Sequence, residues 1–210
     1  MASSALKVGQ RLKGRLGIYT VTTQLYPITW PATDAASRTV IIKRDLSNRI
    51  NTERTLLNRF QHTSLFRPLV DEIDGFAPDD SAAIVLKHYD CHIGQISKEQ
   101  GLSSQEVKYV GSCILQALCA LHASGYIHTD VKPGNILVNR CSEGDVRFKD
   151  VCLADLGDAV LTEGIEATNG YPVGTAVFRS PEATLMMPFT MAHDIWSFGS
   201  SVCHLDCDPS

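Results

Sequence analysis

The sequence lacks any hydrophobic run long enough to cross a membrane, and its first ten residues lack the apolar core of a secretory signal. Position 2 is alanine, which excludes N-myristoylation. The seven cysteines are odd in number and form no Cys-x-x-Cys pair, a usage typical of reduced thiols. Together these absences predict an intracellular protein, cytoplasmic or nuclear, with no membrane partner.

Basic charge is also scarce. Lysine and arginine total 19 against 23 aspartates and glutamates, which gives a net charge of −4, and the basic residues are scattered along the chain. Because a nucleic-acid surface needs clustered positive charge, we expect no nucleic-acid partner. Apolar residues make up 44% of the 210, enough for one large domain or two small lobes. The composition leaves the oligomeric state open.

The N-terminal part of the chain has the patterns of strands followed by one helix. Stretches rich in β-branched and aromatic residues at 18–26 and 38–43 predict strands, and residues 48–60 predict a helix. Ile50 and Glu53 lie on the same face of that helix. A carboxylate buried there needs a partner, because burying it unpaired costs several kcal/mol.

The remainder of the chain is richer in helices. Another strand is predicted at 82–90, and the clearest helix follows at 103–125, opened by a capping box of Ser103 and Glu106. Short apolar runs then alternate with polar turns until a last helix at 193–205. This order of elements predicts an α+β fold, with strands first and helices after them.

The stretch YIHTDVKPGNILV, residues 126 to 138, places Asp130, Lys132 and Asn135 between apolar flanks. Some twenty residues later a second apolar run, VCLA, ends at Asp155. Two acids and an amide that converge from strand ends suit Mg²⁺, a hard cation that prefers oxygen ligands and acts together with substrate phosphates. An isolated acid in a turn is usually only a turn former. The prediction of a Mg²⁺ site therefore rests on several such residues that occur in the expected order.

With these residues in place, the chain resembles a eukaryotic-type serine/threonine protein kinase domain. The resemblance covers residues 15 to 203 and rests on six features in the expected order. They are VIIK ending at Lys43, Glu53 in the pairing helix, HTDVKPGNIL, DLG from Asp155, SPE from Ser180, and DIWSFG from Asp194.

The resemblance implies catalytic roles for five residues. Asp130 would orient the substrate hydroxyl and accept its proton, and Lys132 would neutralise charge on the transferred phosphoryl group. Lys43 would contact the α and β phosphates while paired with Glu53. Thr175 would bond to the catalytic loop, which is the stretch HTDVKPGNIL at 128–137. A lysine two residues after Asp130 is typical of the serine/threonine type.

The resemblance also implies binding residues for two ligands, ATP and Mg²⁺. Asn135 and Asp155 would hold the Mg²⁺. Leu86 would lie at the back of the adenine pocket, and the hinge that includes Lys87 and Tyr89 would meet adenine through backbone groups. The acceptor would be a Ser or Thr hydroxyl of a protein substrate.

The fold implied by the resemblance is bilobal. Residues 1–90 would form an N-lobe with the strands and the pairing helix, and residues 91–210 a partial C-lobe of the same kinase domain. The sequence ends one helix after the activation segment, which runs from DLG to SPE. We therefore expect a C-lobe that lacks its last helices. The activity of such a shortened chain stays open.

Two departures from the family pattern bear on mechanism. Counting back from Lys43 places the tip of the phosphate-covering hairpin at Gln24 to Pro27, which contains no glycine, although a turn at Gly14 and Gly17 is the alternative. Thr129 stands where most relatives carry the arginine that gathers an activation-loop phosphate. The H-T-D and D-L-G forms are similar to those of SR-protein kinases.

Three functions are compatible with these motifs. An active serine/threonine kinase is favoured by Lys43, Asp130, Asn135 and Asp155, all present. A non-catalytic pseudokinase acting as a binding module is favoured by the glycine-free hairpin. A small-molecule phosphotransferase of the aminoglycoside or choline type ranks third, because the activation segment predicts a peptide shelf. His128 is interpreted as a packed support for the loop, and both tryptophans, 30 and 196, as core residues.

Overall fold

The computed structural model of the chain describes residues 6–73, 81–142 and 146–205. The chain divides into two compact units: the first comprises Met1–His62 and Arg67–His88, the second Thr63–Phe66 and Tyr89–Ser210. Within the described ranges, none of the helices is long and apolar enough to span a membrane.

In its described residues, the first unit is one antiparallel sheet with a single helix. The elements are β1 Arg11–Lys13, β2 Ile18–Val21, β3 Thr29–Thr33, β4 Thr39–Leu46, α1 Ser47–Arg59, β5 Leu69–Ile73 and β6 Ser81–Lys87. The strands lie in the order β1-β2-β3-β4-β6-β5, and helix α1 follows β4 directly. This arrangement confirms the strand-rich start and the single early helix predicted from the sequence.

One buried cluster of the first unit lies on a single face of this sheet. Alternate residues of β3 point inward, so that Trp30 and Ala32 are buried while their neighbours are partly exposed. They pack with Val40, Ile42 and Val85 from the central strands. The alternation is the two-residue period of a strand with one buried face, and the prediction that Trp30 is a core residue is confirmed.

The turn between β1 and β2 binds a buried carboxylate. Asp71 accepts hydrogen bonds from the backbone N–H groups of Leu16 and Gly17 and from the Tyr19 hydroxyl, at 2.9–3.1 Å. Burial and the neighbouring Asp71 raise the pKa of Tyr19 to about 12. A Cβ on Gly14 would collide with the Asp71 carboxylate. Gly14 and Gly17 therefore belong to a structural turn, which excludes the alternative position of the phosphate-covering loop.

The second unit is mainly helical over the part of it that the structure describes. Its strands are β7 Cys91–His92, β8 Tyr126–Ile127, β9 Ile136–Arg140, β10 Phe148–Leu153 and β11 Val160–Leu161. The strands of this described part form two small antiparallel sheets, β10-β9-β7 and β11-β8. Its helices are α2 Ile93–Glu99, α3 Ser104–Ala123, α4 Ile165–Asn169, α5 Pro181–Thr184 and α6 Ala192–Leu205, with 3₁₀ turns at Pro133–Asn135, Leu156–Asp158 and Ala176–Phe178.

Helix α3 begins and ends as its sequence predicts. The Ser103 hydroxyl accepts from the Glu106 N–H at 3.2 Å, and the Glu106 carboxylate accepts from the Ser103 N–H at 2.9 Å. Gly125, just past the end, has φ +83°, a left-handed conformation that glycine adopts readily. The carboxylate of Glu106 is also clasped by Arg147, at 2.8 Å from both Nε and Nη2.

This pair predicts an acid-sensitive contribution to stability. The Arg147 hydrogen bonds lower the pKa of Glu106 to about 2, and the Glu106 side chain is only 2% exposed. The stabilisation is therefore fully present above the ordinary pKa near 4.5 and is lost as the pH falls towards 2. Since Arg147 is partly exposed, we expect about 2 kcal/mol at neutral pH.

The measurement is urea unfolding of the wild-type chain and of Glu106→Gln between neutral and acidic pH. The wild type should be more stable at neutral pH, and the difference should shrink as the pH falls below about 4.5. A difference that stays constant over this range would contradict the assignment.

Trp196 is not a core residue, contrary to the sequence-based prediction. Its side chain is 51% exposed, whereas His193, Asp194 and Ser197 of the same helix are buried. On α6 these polar side chains take the inward positions, so that Trp196 faces outward. The apolar character of a tryptophan was a poor guide here, because the buried face of this helix is polar.

Candidate active site

The first unit contributes a buried ion pair. Lys43 on β4 and Glu53 on α1 are 2.7 Å apart, with side chains only 9% and 2% exposed. The two elements are consecutive, and Glu53 lies on the inward face with Ile50, Leu56 and Leu57. The structure thus supplies the cationic partner that a carboxylate on this face requires.

In the second unit, Asp130 is surrounded by donors from three sides. One carboxylate oxygen accepts from the Lys132 ammonium at 2.6 Å and the Asn135 amide at 3.1 Å. The other accepts from the Thr175 hydroxyl at 2.7 Å, which itself accepts from Lys132 at 2.8 Å. The catalytic loop and Thr175 of the activation segment, 45 positions later, therefore share one hydrogen-bond network that fixes the Asp130 side chain.

His128 is a buried residue that supports this loop through hydrogen bonds of its ring. The ring is fully buried; Nε2 lies 3.1 Å from the Ala154 carbonyl, and the Asp130 backbone N–H donates to Nδ1 at 3.2 Å. An amide must donate and a carbonyl must accept, so the ring carries its hydrogen on Nε2. The prediction that His128 packs and supports the loop is confirmed.

Asn135 and Asp155 are brought together by the pairing of β9 and β10. Leu153 pairs with Ile136, and the Ala154 N–H donates to the Asn135 carbonyl at 2.9 Å, so that Asp155 follows directly. Asp155 has φ +67° and begins a 3₁₀ turn. The Asn135 NH₂ group donates to Asp130, so that its side-chain oxygen is the atom that could bind a cation.

These two oxygen donors fit Mg²⁺. In the described ranges no group of three or more His, Cys, Asp and Glu side chains could hold a metal. An amide and a carboxylate are hard ligands, and Mg²⁺ is commonly bound by one or two carboxylates plus substrate phosphates instead of an all-protein cage. This pair of ligands could hold a metal that binds together with a phosphate ligand.

The residues expected near adenine lie at the end of one unit and the start of the other. Leu86 on β6 is buried and pairs with Ile41 of β4. The Lys87 side chain is exposed; its N–H donates to the Pro68 carbonyl and its carbonyl accepts from Arg67 Nε at 2.8 Å. Tyr89 is buried in the second unit. The Lys87 backbone therefore already makes two bonds before any ligand arrives.

The hairpin between β2 and β3 has its tip where counting back from Lys43 placed it. The connection spans residues 22–28 and contains no glycine. The backbone N–H groups of Leu25 and Tyr26 both donate to the Thr29 carbonyl, at 3.0 and 3.2 Å. Amides that a glycine-rich loop would offer to phosphates are here used inside the hairpin.

Asp194 organises the catalytic loop, a role that our sequence reasoning missed. Its fully buried carboxylate accepts from the backbone N–H groups of His128 and Thr129, at 2.7 and 2.9 Å, and lies 2.8 Å from His122 Nε2. The available signal was the acid that begins DIWSFG, directly before two apolar residues, since a carboxylate that is buried needs donors.

Thr129, which stands where most relatives carry arginine, has its own set of bonds in the catalytic loop. The residue is buried with φ +71°, an uncommon conformation for a β-branched side chain. Its N–H is held by Asp194, and its hydroxyl donates to the Asp158 carbonyl at 2.9 Å. Thr129 therefore links the catalytic loop to the turn after Asp155 without a long cationic side chain.

Comparison with known proteins agrees with this geometry. Residues 34–208 match the family model of the protein kinase domain. Among curated proteins, the chain is 31% identical over 160 residues to mitogen-activated protein kinase 12 of Mus musculus. It is 30% identical over 176 residues to mitogen-activated protein kinase p38b of Drosophila melanogaster, and 25% identical over 171 residues to 3-phosphoinositide-dependent protein kinase 1 of Arabidopsis thaliana.

The alignments cover a larger share of this chain than of its relatives. These alignments cover 73%, 78% and 77% of the chain, but only 40%, 45% and 33% of the respective relatives. Residues 6–33, which include β1 to β3, lie before the family match. The narrower resemblance to SR-protein kinases stays a prediction, whereas the match over residues 34–208 establishes the broader assignment: the chain belongs to the protein kinase domain family.

Proposed function

We propose that the chain transfers the γ-phosphoryl group of ATP, with Mg²⁺, to serine and threonine hydroxyls of protein substrates. The observation that carries the proposal is the Asp130 carboxylate, held between Lys132, Asn135 and Thr175. In this proposal residues 1–90 form the N-lobe and residues 91–210 a partial C-lobe of one kinase domain. The proposed location is cytoplasmic or nuclear, with protein substrates and no nucleic-acid or membrane partner.

Asp130 would receive the acceptor hydroxyl. Its carboxylate is held in one orientation by donors on both oxygens, which is the preorganisation that positioning catalysis requires. The hydroxyl of a serine or threonine would donate to this carboxylate while its oxygen attacks the phosphoryl group. The rate gain would come from holding the reacting oxygen in line.

Lys132 and Thr175 would prepare the same region for charge. The Lys132 ammonium already bridges Asp130 and Thr175 and can turn one of its three donors towards the phosphoryl oxygens. Because the Lys132 ammonium donates to Thr175 of the activation segment, the position of the lysine would depend on that segment being ordered. Phosphoryl transfer leaves little covalent work for the protein, so such placement matters most.

The nucleotide phosphates would be met by Lys43, Asn135 and Asp155. Glu53 keeps the Lys43 ammonium in place at 2.7 Å, ready for the α and β phosphates. Asn135 and Asp155 would hold the Mg²⁺ through their side-chain oxygens. A Mg²⁺ held there would supply positive charge that offsets the negative charge of the phosphates. The adenine would lie against Leu86 and meet backbone groups between Lys87 and Tyr89.

A second function, a nucleotide-independent binding module of the pseudokinase type, is favoured by the hairpin tip. The Leu25 and Tyr26 amides are bonded to Thr29 and are not offered to phosphates. In this alternative the fold is retained for protein contacts, and the chain does not turn ATP over. Nucleotide binding separates the two functions.

The test is thermal unfolding of the 210-residue chain with and without excess Mg-ATP. A ligand present at a hundred times its Kd, and bound only to the folded state, adds about 2.7 kcal/mol to the free energy of unfolding. We expect Mg-ATP to raise the unfolding temperature of the wild type and to leave that of Asp155→Asn nearly unchanged.

The matched control is Glu163→Gln, an exposed carboxylate of the same unit, which should respond to Mg-ATP as the wild type does. A full response of Asp155→Asn would contradict the metal assignment. A cooperative transition that no variant shifts with Mg-ATP would favour the binding module.

A further inference from the structure

His193 is a fully buried histidine whose two ring nitrogens both have partners. It is the second residue of α6, directly before Asp194. Nδ1 lies 2.8 Å from the Ser180 hydroxyl, and Nε2 lies 3.0 Å from the Thr129 carbonyl. Neither bond belongs to the roles assigned above, although Thr129 directly precedes Asp130.

The partners define the state of the ring. A carbonyl oxygen can only accept, so Nε2 carries a hydrogen that it donates to Thr129. In the neutral ring Nδ1 then accepts, and the Ser180 hydroxyl donates to it. Ser180 stands at the N-cap of α5, yet within the described chain its hydroxyl makes no capping bond to that helix. The hydroxyl is committed to His193.

The Thr129 carbonyl is a meeting point of three segments. Gly174 passes so close over it that a Cβ on Gly174 would collide with the carbonyl oxygen, and that same Cβ would lie 3.6 Å from His193 Nε2. Gly174 directly precedes Thr175, which bonds to Asp130. Ser180 begins the helix that follows the activation segment. His193 therefore bonds to the catalytic loop and to Ser180, and Gly174 lies close to the same Thr129 carbonyl.

We propose that His193 is a positioning residue: through the Thr129 carbonyl and the Ser180 hydroxyl, it holds the catalytic loop and residues 174–180 in the register that lets Thr175 bond to Asp130. We call these two bonds of His193 the tie. The effect of the tie on catalysis rests on the proposed kinase function, whereas the existence of the two bonds does not.

Packing explains why an imidazole suits this position. Phe189 lies against the ring, with centroids 5.5 Å apart, and is itself buried. An aliphatic side chain of similar size would leave the Thr129 carbonyl and the Ser180 hydroxyl without these bonds inside the protein, which is unfavourable. Glutamine keeps a donor and an acceptor at the end of a longer side chain and is the conservative substitute.

The first arm of the test measures phosphotransfer to a serine peptide. His193→Phe keeps an aromatic ring but removes both bonds, and we expect kcat to fall by about 10- to 100-fold, because a misplacement of about 1 Å can cost that much. The KM for Mg-ATP should stay within about twofold, because the change affects only the transition-state geometry. His193→Gln should recover most of kcat, and Ser180→Ala should show a smaller loss of the same kind.

The second arm does not depend on activity. Long-range ¹H–¹⁵N correlation of the histidine rings near neutral pH should show His193 with its hydrogen on Nε2. Hydrogen exchange should be about tenfold faster at the Thr129 and Asp130 amides in His193→Phe, with α3 amides unchanged, if the tie is local. His62→Phe is the matched control, since His62 is an exposed histidine outside α6 and residues 174–180.

The outcomes separate the two proposals. An inactive wild type that shows the Nε2 hydrogen and the local exchange effect would refute the kinase function and support the tie. An active wild type whose kcat is unchanged in His193→Phe would overturn the positioning role, as would a hydrogen on Nδ1. If His193→Phe does not unfold cooperatively, the ring tautomer in the wild type and the Ser180→Ala kcat decide.

Discussion

Replacing Asp130 with asparagine is expected to lower kcat for phosphotransfer by about 10²- to 10⁴-fold, the range of a positioned acid–base group. Asparagine keeps the size of the side chain but presents an NH₂ group in place of one of the two carboxylate oxygens, of which one accepts from Lys132 and the other from Thr175. The acceptor hydroxyl would lose its hydrogen-bond partner, and Lys132 would lose the anion that places it.

This prediction is checked by steady-state kinetics with a serine or threonine peptide, beside the thermal response to Mg-ATP. The response to Mg-ATP should persist in Asp130→Asn, because Asp130 is not assigned to the nucleotide. Glu163→Gln, an exposed carboxylate, should keep the wild-type kcat. An Asp130→Asn chain with undiminished kcat would show that Asp130 does not serve the reaction.

Replacing Asp194 with alanine is expected to lower the free energy of unfolding by about 3–5 kcal/mol, because each buried donor that loses its acceptor costs about 1–3 kcal/mol. Its carboxylate is fully buried and accepts from two consecutive backbone N–H groups, those of His128 and Thr129. Alanine would leave both amides and His122 without this acceptor. Since domains are stable by about 5–15 kcal/mol, the loss is large.

Urea unfolding measures this effect. Asp194→Asn should be intermediate, because one side-chain oxygen can still accept from one of the two amides. Glu163→Gln should stay within about 0.5 kcal/mol of the wild type, as is usual for exposed substitutions. If Asp194→Ala were as stable as that control, the carboxylate would not hold the catalytic loop.

The parts of the fold that the sequence predicted are those governed by nearby residues. The capping box of Ser103 and Glu106 spans three positions, and both of its bonds are present. Glu53 was expected to need a partner because of its place on a helix face, and Lys43 is ten positions away. The tip of the hairpin followed from counting strand lengths back from Lys43. In each case a period or a short spacing is enough.

The parts that could not be predicted are bonds between distant positions. Asp71 and the turn at Leu16 are 55 positions apart, and Arg147 reaches Glu106 over 41 positions. Neither arginine nor aspartate indicates its partner, because tertiary packing decides which backbone amides lie near a carboxylate. The prediction that Trp196 is buried was wrong for a related reason. Asp194 and Ser197 occupy the inward face of α6, where they bond to other segments of the chain.

The candidate site shows the same division. The types and order of Asp130, Lys132, Asn135 and Asp155 were readable from the motifs. The bonds of Leu25 and Tyr26 to Thr29 were not, since a glycine-free tip does not reveal where its amides donate. The bridge from Ser180 through His193 to Thr129 joins positions up to 64 apart, and only the folded chain shows it.

The measurement that tests the central claim most directly is phosphoryl transfer itself. The purified 210-residue chain is mixed with Mg-ATP labelled in its γ-phosphoryl group and with peptides that offer serine, threonine or tyrosine as acceptor. We predict label on serine and threonine, little on tyrosine, and none when a chelator removes Mg²⁺ or when Asp130 is asparagine. A chain that Mg-ATP stabilises but that labels no peptide would contradict the claim.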